Sequence, residues 1–140
     1  MQPLFRSFFQ AGFECSTHRN RFGRRLDLLQ STGHDCYARE DYERIRRLGI
    51  RTIRTGARWH LIEQSPGHYD FRSLEATLNP AYEAGMEVLL DVFHFGWPDH
   101  IDIFSAHFPN IFAKYARALA VFLRENYPEC RKLAPVITEK

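Results

Sequence analysis

The residues best suited to chemistry close the stretch 87–99, EVLLDVFHFGWPD. His94, Phe95, Trp97, Pro98, Asp99 and His100 follow one another within seven positions, a cluster of groups that do chemistry or bind rings. Gly96 and Pro98 rule out further regular strand or helix there. Two more groups fall at similar places: Glu14 near the end of a short aromatic run, and Arg54 inside a β-branched one. An arginine in such a run faces solvent or has its charge paired, and Asp91 is a partner at hand. Asp91 itself, set among apolar residues, reads as an anchor for an arginine or a backbone group. His94 reads as a ligand-binding or a structural histidine, and Trp59 and Trp97 as ring platforms or as core. The seven histidines raise a metal reading, with Asp99, His100 and Asp102 near His94, but no H-x-H or H-E-x-x-H pattern is present. No metal and no cofactor are expected. Phosphate binding is disfavoured, since no glycine-rich loop follows a strand.

The elements that must position these groups alternate. Val88, Leu89, Leu90, Val92 and Phe93 form a nearly continuous apolar run, the pattern of a strand covered on both faces. Phe8 to Ser16 predicts a first strand with Glu14 near its carboxyl end, and Thr52 to Trp59 a second. Between them, Ser16 to Gly33 reads as a long loop, and Ala38 to Leu48 as a helix stopped by Gly49. Asp70 is a candidate cap for a helix carrying Leu74, Leu78 and Tyr82, with Asn79-Pro80 dividing it into two pieces. Ile111, Phe112, Tyr115, Leu119, Phe122 and Leu123 mark one face of a long helix ending before Pro128, and Leu133 to Thr138 predicts a fourth strand. A helix before each of the last three strands implies parallel pairing with right-handed crossovers. The expected fold is α/β, a partial (β/α)8 barrel of about four parallel strands occupying 1–140 as one incomplete domain.

Composition is that of an ordinary globular chain, 44% hydrophobic and 26% charged. A net charge of +2 is too small to argue for nucleic acid, and none is expected as a partner; the local cluster Arg19, Arg21, Arg24 and Arg25 reads as a solvated loop. Cys15, Cys36 and Cys130 are odd in number and include no C-x-x-C pair, which fits a reducing cytoplasm. No signal peptide and no membrane-spanning run are read in the sequence.

With these elements in place, the motifs resemble the front half of a family 1-type β-glycosidase, within the clan of (β/α)8 retaining glycoside hydrolases. Arg54 and Trp59 in RTGARW have the spacing of that family's R-F-S-x-x-W motif. His94, Phe95 and Pro98 match its H-W-x-x-P, with Phe95 in place of tryptophan, and ITEK at 137–140 resembles I-N-E-P. The resemblance implies that Glu139 is the general acid/base, that Arg54 holds a nucleophile ionised and that His94 binds sugar hydroxyls. It also implies that Trp59 and Trp97 offer ring surface and that Glu14 is a further hydroxyl ligand. Thr138 stands where the family has the asparagine that touches the 2-hydroxyl, and Lys140 where it has proline.

The resemblance implies a carbohydrate substrate, β-linked and cleaved with retention, by two carboxyl groups about 5 to 5.5 Å apart. In the family the second belongs to the seventh strand, so the 140 residues alone are expected not to hydrolyse glycosides. A second reading is an interaction module that pairs through an apolar inner face and two strand edges with itself or with a missing C-terminal half. A third follows from similarity to glycosidase-like regions that precede a sugar-nucleotide reductase domain in some bacterial proteins: a substrate-positioning part of such a fusion.

Overall fold

Four parallel strands lie in chain order in one sheet, β1 Gln10–Gly12, β2 Thr52–Gly56, β3 Glu87–His94 and β4 Ala134–Thr138. The computed structural model describes residues 4–128 together with 134–138. Between β1 and β2 lie α1 Leu28–Thr32 and α2 His34–Arg47; between β2 and β3 lie α3 Trp59–Ile62 and α4 Arg72–Glu83; α5 Phe108–Asn126 precedes β4. This is the α/β alternation expected from the sequence, the partial (β/α)8 arrangement.

Apolar alternation sets which side of the sheet is covered. Ile53, Val88, Leu90 and Phe93 are buried in one core with Tyr42 of α2, Leu74 and Leu78 of α4, and Tyr115 and Leu119 of α5. Arg54 and Asp91 lie between these positions in the sequence and gather on the opposite side, paired at 2.5 Å. Strict alternation would put His94, three residues after Asp91, on the other face from it. The β3–β4 register shifts between Asp91 and Phe93, leaving Val92 outside the pairing, and this resets the parity. The carbonyl of Val92 accepts a 3.0 Å hydrogen bond from the buried hydroxyl of Tyr115, so α5 holds the shift in place.

Several elements differ from the sequence expectation. The segment 16–33 contains α1, capped by the Asp27 carboxylate, which accepts the Gln30 N–H at 3.1 Å. Its apolar signal is short, a buried Leu29 inside polar sequence. The first strand is three residues long rather than nine, and the second ends at Gly56, after which Trp59 begins α3. Pro80 does not divide α4: Leu74, Thr77, Leu78 and Ala81 bury one continuous face across it, which outweighs one missing N–H. Asp70 caps from outside, accepting the Arg72 N–H at 3.0 Å. The arginine cluster is only partly solvated. Arg25 donates to the carbonyls of Thr17 (2.7 Å) and Trp97 (2.9 Å) and pairs with Asp99, as does Arg19. It thereby ties the loop after β1 to the loop after β3.

Candidate active site

The carboxyl ends of β1, β2 and β3 bring Glu14, Cys15, Arg54, Asp91 and His94 together. Asp91 is completely buried, and its Oδ2 accepts from the Arg54 guanidinium and, at 3.3 Å, from the Cys15 thiol. His94 Nδ1 lies 3.1 Å from Cys15 Sγ, 3.4 Å from Asp91 Oδ2 and 3.6 Å from Glu14 Oε1. Arg54 keeps about a third of its side chain exposed (35%) and Glu14 about half (49%), so these two form the solvent side of the cluster.

Two glycines make room for it. Gly56 stands in register with Asp91, and a Cβ there would fall 2.5 Å from Cys15 Sγ. A Cβ on Gly96 would fall 2.6 Å from the Thr17 carbonyl oxygen, so only glycine lets the turn after β3 dock on the chain leaving β1. Between His94 and Gly96, Phe95 adopts φ +54°, a left-handed conformation unusual for an aromatic residue.

The electrostatics follow the geometry. Burial and the Asp91 charge push the Cys15 thiol well above its ordinary value, so it is a protonated thiol in this setting. Arg54 is held more firmly protonated: burial works against its charge, but the hydrogen bond and charge of Asp91 outweigh it. Glu14 is lowered. Burial raises it, and hydrogen bonds from Ser16, whose N–H donates at 3.0 Å, together with His94 and Arg54 overcome that.

The remaining residues singled out in the sequence fall elsewhere. Trp59 is fully buried, stacked on Tyr115 at 4.4 Å between ring centroids, with Nε1–H donating to Glu63 at 2.7 Å. A ring with no exposed surface presents no face to a ligand, so the core reading describes it. Trp97 is half-buried in the loop after β3, edge-on to Phe93 at 6.2 Å. Thr138 stands in register with His94 at the end of β4. Glu139, Lys140 and Cys130 lie outside the described residues. The sequence does not mark Cys15 as part of the site: its one signal is its place beside Glu14, and Gly56 carries no signal apart from the neighbours it meets in the fold.

Residues 31–127 match the family model of the family 42 glycoside hydrolases, described as beta-galactosidase, over more than half of the chain. The chain belongs to this family. Membership in family 42 fits the β-glycosidase resemblance of the motifs at the level of the (β/α)8 clan. No curated protein gives a significant match. Among solved structures, the exo-beta-1,4-mannosidase Op5Man5 from Opitutaceae bacterium strain TAV5 is similar with a TM-score of 0.60 at 22% identity, covering 79% of this chain and 24% of that one. The family 1 β-glucosidase from Thermotoga maritima gives 0.61 at 21%, covering 76% and 25%. The β-glycosidase BGL167 gives 0.58 at 25%, covering 66% and 24%. The family 42 chain thus spans about a quarter of the length of these enzymes, with which it shares the fold. Among the described residues, no helix is long and apolar enough to cross a membrane.

Proposed function

We propose that this chain supplies the strand-one to strand-four side of the active site of a retaining β-glycosidase. The observation that carries this reading is the convergence of Arg54, Asp91, His94 and Glu14 at the carboxyl ends of three adjacent parallel strands, where barrel enzymes do their chemistry. In this reading Glu139, the residue that follows β4 in the sequence, protonates the leaving oxygen. The second carboxyl group comes from a later strand of a complete barrel. Asp91 is not that group: it is fully buried and already engaged by Arg54. Its part is to fix the guanidinium, which then stands ready beside a nucleophile. His94 and Glu14 bind sugar hydroxyls, Trp97 lines the approach, and Thr138 contacts the 2-hydroxyl.

The family description makes β-galactosides the first substrates to try, with β-glucosides and β-mannosides beside them. Turnover of the aryl glycosides by the full natural protein, followed by NMR of the freshly released sugar, reads both activity and stereochemistry. Release of the β-anomer is expected; release of the α-anomer, or no turnover of any β-glycoside, sinks the proposal. The 140 residues by themselves are expected to give no turnover.

A further inference from the structure

We propose that Cys15, Asp91 and His94, completed by Glu14, form a binding site for a divalent transition-metal ion of the zinc type. The ligand atoms of the first three lie within 4.8 Å of one another, and all three residues are buried. Their separations are 3.1 Å for Sγ to Nδ1, 3.3 Å for Sγ to Oδ2 and 3.4 Å for Nδ1 to Oδ2. Zinc bonds of about 2.0–2.3 Å in a tetrahedron require ligand-to-ligand edges of roughly 3.3–3.7 Å. The three atoms therefore stand at nearly the spacing of one tetrahedral face. Glu14 Oε1 stands 3.6 Å from Nδ1 on the solvent side, outside this compact group of three, and a turn of its half-exposed side chain toward an entering ion is what would supply the fourth ligand.

Ligand chemistry and charge agree with that geometry. A thiolate, an imidazole and carboxylates make a mixed set suited to zinc rather than to magnesium or calcium, which favour oxygen ligands throughout. On binding, the Cys15 S–H gives its proton to solvent and a sulfur–metal bond forms. The thiolate, Asp91 and Glu14 then carry three negative charges, balanced by the divalent ion and Arg54. Outer partners are already in place: the Arg54 guanidinium on Asp91, and the Ser16 N–H on Glu14. Asp91 Oδ2 accepts from both Arg54 and the Cys15 S–H, and loss of the Cys15 proton frees one of its two lone pairs for an ion while Arg54 keeps the other. Ligation through Nδ1 leaves Nε2 of His94 outside the set. The missing Cβ of Gly56 is what lets Cys15 Sγ reach this point.

The test is cobalt(II) titration of the full chain with zinc competition, which needs no activity assay. One equivalent of cobalt is expected to give a thiolate-to-cobalt charge-transfer band in the near ultraviolet, lost when zinc is added. Cys15→Ser is expected to abolish the band and Cys36→Ser to leave it. Glu14→Gln, a change at a half-exposed side chain, is expected to weaken zinc affinity at least about tenfold without unfolding the protein. No band in folded wild-type protein, a band that survives Cys15→Ser, or an affinity unmoved by Glu14→Gln overturns the site.

Discussion

Arg54 and Asp91 show what a single ion pair does at the mouth of a sheet. Asp91 has no exposed surface, so its charge depends on the guanidinium and the few donors around it. Arg54→Met should lower stability in urea unfolding by about 2–3 kcal/mol, below the roughly 3–5 kcal/mol of a fully buried broken pair because Arg54 is partly exposed. Arg54→Lys should recover part of that loss. His60 gives a pH-dependent prediction. Burial first, then the Arg25 charge with a smaller push from Arg58, outweigh the opposing pull of Asp27 and Asp99 and take it down to about 4 from an ordinary 6.5. Between these values the unfolded chain takes up the proton and the folded one does not, so stability falls as pH drops from about 6.5 to 4. Burial lowers His34 as well, so the contribution must be read by difference. The stability curve of His60→Asn should be flatter than that of the wild type in this window and parallel to it above pH 7.

At the scale of elements, the site depends on a register shift and on two close approaches of backbone. Tyr115→Phe removes the hydrogen bond to the Val92 carbonyl, with an expected cost of about 1–3 kcal/mol for the buried acceptor left behind. It should also move the His94 resonances, because the shift that sets His94 beside Asp91 is loosened; unchanged His94 shifts would mean that α5 does not hold it. Gly96→Ala should cost at least about 1–3 kcal/mol by thermal unfolding, since the methyl meets backbone of Thr17 that cannot turn aside. These features mark the limit of what the sequence could tell. The apolar run 88–93 and the Gly49 stop are local signals, and the strand and the helix they predict are present. The pairing of Arg54 with Asp91 was readable because a charge in a β-rich run needs a partner. That Asp91 and His94 share a face was not readable, because a one-residue shift leaves no mark in composition or period. The place of Cys15 was hidden for a similar reason: Gly56 and Cys15 are 41 positions apart in the chain and meet only across the sheet.

At the scale of the whole molecule, β1 is an edge strand of the sheet among the described residues. Phe8 and Phe9, just before that strand, are 94% and 71% exposed. Apolar rings beside a strand edge favour association, so the 140 residues by themselves should sediment as a dimer or larger at micromolar concentration. Phe8→Ser with Phe9→Ser should shift them toward monomer. A wild-type monomer at that concentration would count against pairing through this edge.

The most direct test of the glycosidase account is the Glu139→Gln variant of the full natural protein, assayed with two β-galactosides. One has a nitrophenolate leaving group, which departs without a proton, and the other an alkoxide, which needs one. The account predicts that turnover of the alkyl glycoside falls about 10²–10⁴-fold, the usual contribution of a general acid, while bond cleavage in the nitrophenyl glycoside is much less affected. Equal turnover of both substrates by variant and wild type would contradict it.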